Sequence, residues 1–127
     1  MNQNTKGILL TVEGVVRPLF ISTIGDVYNA ISCTSFDIVR LGRAADIFVD
    51  DEGLLTNRPI NLLASAIATE LTGHAINLAG DAIVFGHDGA GNSIDCPKWL
   101  FDMFDEAGVT LEVEEITTKG AKYAKRD

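Results

Sequence analysis

Two stretches, GILLTVEGVVRPLFI (residues 7–21) and FDIVRLGRAADIFV (36–49), most limit what this chain can fold into. Each holds two short apolar runs broken by a glycine, the pattern of two strands joined by a tight turn. The first breaks at Glu13-Gly14, where glycine permits the positive φ of a hairpin. The second breaks at Gly42-Arg43. Pro18 lacks an amide donor, which makes the second strand short or an edge strand.

Between and after the hairpins the period changes from two to three and four. Ile24, Val27, Tyr28 and Ile31 fall on one helical face, with Ser22 and Thr23 as candidate caps. Ile60, Leu63, Ile67 and Leu71 predict a second helix that Gly73 stops, and Asn57 or Asn61 is placed to cap it. Ser65, four residues after Asn61, is placed to hydrogen-bond within the same turn. AGDAIVFG (79–86) reads as a buried strand entered by a Gly-Asp turn. PKWLFDMFDEAG reads as a helix with Pro97 in its first turn and Gly108 at its end, and VTLEVEE as a last strand. The order ββαββαβαβ describes a small α+β domain: a mixed or mostly antiparallel sheet built from two hairpins and packed by about three helices.

At 127 residues, 46% apolar and 22% charged, the chain is long enough to bury one core without metals or disulfides. No apolar run reaches membrane-spanning length, and the polar start MNQNTKG lacks a secretion signal's apolar core, so a soluble, cytoplasmic protein is expected. The last nine residues, KGAKYAKRD, carry Lys119, Lys122, Lys125 and Arg126 against Asp127. That local charge of +3 leaves −11 for residues 1–118. The domain is therefore expected over 1–118, with 119–127 as a basic, flexible tail. A body so acidic repels nucleic acid and suits a basic protein surface, or imitates DNA.

The stretch VDDEGLLTNRPINLLAS (49–65) gathers the densest polar signals. Asp50, Asp51 and Glu52 precede Gly53, but a calcium loop with glycine sixth would need a ligand at Phe48, which has none to offer. Consecutive Asp50 and Asp51 also point to opposite faces of a continuing strand, so an acidic turn is expected. Arg58 beside a helix start allows anion binding, although a pairing with a neighbouring carboxylate is simpler. GHDGAGNS (86–93) has the spacing of a phosphate loop, with Asn92 where that loop needs lysine, and reads as a glycine loop near His87. Cys33 and Cys96 form no CxxC pair. With His74 and His87 they lack zinc spacing, so two semi-buried thiols are expected. Cys96 before a helix start could have a lowered pKa. Trp99, Phe101, Met103 and Phe104 are either core or a partner surface.

The order of these pieces resembles the domain of unknown function numbered 3846, found in small proteins of bacteriophages, plasmids and their hosts. The likeness runs over roughly residues 7–95: DIVRL, FVDDEG, PINLLAS and GDAIVFG in succession. Its motif positions here are Glu52, Gly53, Pro59, Asn61, Ala64, Ser65, Gly80 and Asp81, and each has a turn, cap or packing role. The resemblance implies a mobile-element accessory protein. It implies no reaction and no cofactor. The function expected is non-enzymatic binding of a host protein, inhibiting a defence or regulatory system, through the acidic surface or the Trp99–Phe104 region. The alternative is a small-ligand binder that sequesters a nucleotide-like signal on amides of Asn57–Asn61 or Gly86–Asn92. A homodimer through open sheet edges is a further expectation.

Overall fold

The computed structural model describes residues 4–106, 111–117 and 120–126, the last two segments as backbone only. The predicted hairpins both form. β1 (Thr5–Leu10) pairs antiparallel with β2 (Val16–Ile21) across a turn in which Gly14 has φ 87°. β3 (Phe36–Gly42) pairs antiparallel with β4 (Ala45–Asp50). Here the turn lies one residue later than the sequence suggests. Arg43 and Ala44 take its central positions, both at positive φ, and the ladder shifts between Arg40 and Gly42. Outside contacts hold that left-handed pair: the Trp99 indole N–H donates to the Arg43 carbonyl, and the His87 amide donates to that of Ala44.

β5 (Ala82–His87) joins the hairpins, pairing with β4 on one side and β1 on the other. Beyond the Ile8–Val84 pair, toward the start of β1, the two-residue β6 (Ser93–Ile94) takes over that side of β5. β2 meets β7 (Leu111–Thr117) in parallel at Val16 and Leu111, and β7 pairs antiparallel with β8 (Gly120–Arg126). The sheet order is β3-β4-β5-β1-β2-β7-β8, with β3 at one edge. The register sets Glu112 opposite Lys125 and Glu115 opposite Lys122, so β8 runs through the segment that its charge marks as a tail. Gly108, the expected helix stop, lies outside the described residues.

Three helices cover both faces of this α+β sheet. α2 (Leu62–Thr72) and α3 (Lys98–Glu106) lie against Ile8, Leu10, Ile47, Val49 and Val84. α1 (Ile24–Ala30) lies against Leu9, Ile21, Phe48, Ile83 and Phe85. A strand buried on both faces cannot alternate with polar residues, which is why IVF in β5 and IFV in β4 are continuous apolar runs. Thr23 caps α1 in a reciprocal box with Asp26, and Val27 and Ile31 fill the core below it. Gly73 ends α2 in the left-handed conformation.

Candidate functional site

The acidic turn and the start of α2 form one joint, and its side chains are spent on the fold. Asp50 accepts from the Glu52 amide and pairs through Oδ2 with Arg58 Nε at 2.8 Å. Arg58 Nη2 also donates to the Ser32 carbonyl. Asp51 turns away and accepts from the Ser35 hydroxyl at 2.6 Å, so the neighbouring carboxylates diverge. The Glu52 carbonyl accepts from the Thr56 amide, and Asn57 supplies a left-handed residue at φ 58°. Gly53 packs so tightly that a Cβ there would lie 2.8 Å from the Ala79 carbonyl oxygen.

Asn61, fully buried, is the centre of the joint. Its Oδ1 accepts from the Ala64 amide, while Nδ2 donates to the carbonyls of Leu10 and Gly80 at 2.9 and 3.0 Å. One side chain thus caps α2 and ties it to β1 and to the entry of β5. Asn61 is the cap, and Asn57 is not. Ser65 bonds across to Leu78 rather than within its own turn, accepting the Leu78 amide at 2.8 Å. Asp81 accepts from the Val12 amide. Ile60 corrects the expected buried face: it precedes the helix, bridges to Ala79 and is exposed. Small residues, Ala64, Ser65 and Ala68, face the sheet with Ile67.

The joint also exposes four large apolar side chains. Leu54, Leu55, Ile60 and Leu62 lie in one short stretch, with Leu55 85% and Leu62 77% exposed. Leu62 borders a mostly apolar groove of about 420 Å³ lined also by Val12, Glu13, Gly14, Leu63 and Ala66. Leucines in a turn were visible in the sequence, but helical periodicity assigns Leu62 no partner and passes over Leu54 and Leu55.

The glycine loop is closed on itself. Asp88 Oδ1 accepts the amides of Ala90 and Asn92, and Oδ2 accepts the Asn92 side chain. Bonds from Asn92 above all hold the Asp88 carboxyl below its ordinary value. These loop amides therefore already have an anion, the chain's own. At the open end of β3–β4–β5, His87 Nδ1 lies 3.1 Å from Oδ2 of buried Asp46, and Arg40 lies 3.5 Å from the same atom. The sequence reading names His87 without Arg40 or Asp46, because only the register of β3, β4 and β5 brings them together.

Trp99 and Phe101 are half-buried. The Arg43 guanidinium lies 4.1 Å from the Trp99 ring and the Lys6 ammonium 4.9 Å from that of Phe101. Both aromatics thus bolt α3 to the sheet. Cys96 corrects the expectation of a lowered pKa: burial pushes its thiol up to about 12. Burial raises Cys33 as well. Among the described residues no group of three or more His, Cys, Asp and Glu is placed to hold a metal ion, and no helix is long and apolar enough to cross a membrane.

The family model described as Domain of unknown function (DUF3846) matches residues 5–107, and the chain belongs to that family. The match spans β1 to the end of α3, and so includes the joint and the glycine loop. No curated protein and no solved structure matches the chain.

Proposed function

We propose that this family member is a non-enzymatic accessory protein of a phage or other mobile element, which binds a basic host protein and so inhibits a defence or regulatory system. One observation carries the reading: Leu54, Leu55, Ile60 and Leu62 are exposed on a joint that hydrogen bonds hold rigid. Several large apolar side chains left in water within one short stretch are a feature that interaction sites use. The joint's internal hydrogen bonds reduce the backbone ordering that binding requires, while each leucine side chain still gives up rotamer freedom at about 0.5–1.5 kcal/mol. Exposed Asp51, Glu52 and Glu13 lie next to these residues in the sequence or line the groove, and the chain's net charge is −8. A cationic partner fits that rim, and its association rate falls as salt screens the charges.

A photo-crosslinking residue placed at Leu55 or Leu62 tests this in the native host. Both positions should capture the same partner, whereas Asp37, exposed on β3, should capture none. Equal capture from all three positions would overturn the assignment of the joint.

A further inference from the structure

We propose that the open end of β3–β4–β5 is a binding site for a small hydroxylated anion of sugar-phosphate size, with Arg40 taking the anionic group and His87 Nε2 accepting from a hydroxyl. This goes beyond partner binding and is independent of it. The starting point is Asp46, a carboxylate whose side chain is only 5% exposed in a strand otherwise made of buried apolar residues up to Val49. Buried carboxylates are rare unless paired. Here Oδ2 serves His87 and Arg40, while Oδ1 has no hydrogen-bond partner among the described residues.

In the neutral imidazole, a carboxylate oxygen at Nδ1 selects the tautomer in which Nδ1 carries the proton and Nε2 the lone pair. With Nδ1 turned to Asp46, Nε2 is the ring nitrogen left for a ligand, and His87 lines a groove of about 400 Å³ together with Arg40, Ala44, Asp88, Gly89 and Gly91. A volume of that order suits a small metabolite. Arg40 is the cation among these described lining residues. Its side chain is 61% exposed and held only at 3.5 Å, so its guanidinium can turn to a ligand's oxygens. Asp88 spends its oxygens on its own loop, and the negative charge it brings to the groove is what the Arg40 guanidinium must offset for an anion to enter. Gly89 and Gly91 leave open space where side chains would stand. An acceptor, a cation and a glycine wall select a ligand that carries both a donor hydroxyl and an anionic group.

The test is an NMR titration of the ¹⁵N-labelled full chain, read at the His87 ring nitrogens and at the Gly89 and Gly91 amides. The probes are ribose 5-phosphate, gluconate, inorganic phosphate and ribose. The expected result is the Nδ1–H tautomer, with saturable shifts for ribose 5-phosphate or gluconate. The tighter of these two identifies the anion. Phosphate and ribose alone should each bind at least about tenfold more weakly, and Arg40→Gln should weaken the preferred probe by about tenfold or more. Asp46→Asn should abolish the preference for the hydroxylated anion over inorganic phosphate. Arg40→Gln, at an exposed position, keeps the test decisive if that variant fails to fold. An Nε2–H tautomer, shifts of equal size for phosphate and ribose 5-phosphate, or no saturation at tens of millimolar would overturn the site and leave the crosslinking result at Leu55 untouched.

Discussion

Asn61 gives the sharpest stability prediction, because two substitutions separate its cap from its role as a tie. Asn61→Ala removes the cap, worth about 1 kcal/mol. It also leaves the Leu10 and Gly80 carbonyls without the donor they share, at about 1–1.5 kcal/mol each where water does not reach. The expected loss is about 3–4 kcal/mol, a large part of the roughly 5–15 kcal/mol that holds a domain together. Asn61→Asp is the informative partner. Aspartate ranks with asparagine as a cap, so a residue that only capped α2 would tolerate it almost without loss. Here the new carboxylate would face two carbonyl oxygens with no N–H to offer, and would bring a charge into the interior. Its loss at neutral pH should therefore equal or exceed that of Asn61→Ala. Urea unfolding, with the denaturant slope compared among the three proteins, measures both losses. If Asn61→Asp fell within about 1 kcal/mol of the parent, the Nδ2 bonds would not be holding the joint and the reasoning would fail.

Other consequences follow from the same contacts. Gly53→Ala should cost about 1–3 kcal/mol, since its Cβ would meet main chain at Ala79, while Gly89→Ala should leave the melting temperature unchanged. Amides of Ser22 and Thr23 hold the Asp26 carboxyl below its ordinary value, and bonds from Asn92 do the same for Asp88. A depressed folded-state pKa contributes stability that is complete above the unfolded value of about 3.9 and is lost as pH falls through the folded one. Stability measured from pH 5 to 2 should thus decline below about pH 4, and less steeply in an Asp26→Asn, Asp88→Asn double variant; an unchanged slope would count against these bonds. A thiol reagent at pH 8 should modify Cys33 before Cys96, whose thiol should react only on unfolding, because Cys96 is the more deeply buried and its pKa is about 12. The reverse order would show that Cys96 is open in solution.

Most of the architecture could be read from local chemistry. Gly14 marks the first hairpin, Gly73 the end of α2, and the unbroken apolar run of β5 a buried strand, whereas the burial of β4 on both faces emerges only in the fold. The second turn lies one residue beyond the place that Gly42, the obvious turn former, suggests. Contacts from Trp99 and His87, distant in sequence, are what hold Arg43 and Ala44 at positive φ. Ile60 departs from its pattern for a related reason: its spacing fits the helix, but the Asn61 cap starts the helix after it. The joint was legible as a joint, since Asp, Gly, Asn and Pro in that order have local uses. Its ties to Leu10, Leu78 and Ala79 were not. The Arg40–Asp46–His87 cluster depends wholly on strand register, which no single stretch encodes.

Native mass spectrometry of the protein purified gently from its host shows whether the exposed leucines of the joint hold a partner. The parent chain should appear with a stoichiometric protein partner. A Leu55→Asp, Leu62→Asp variant should melt at the same temperature, because both side chains already face water, and should appear without the partner. A variant that keeps its partner in full would contradict the claim that the joint is the binding surface.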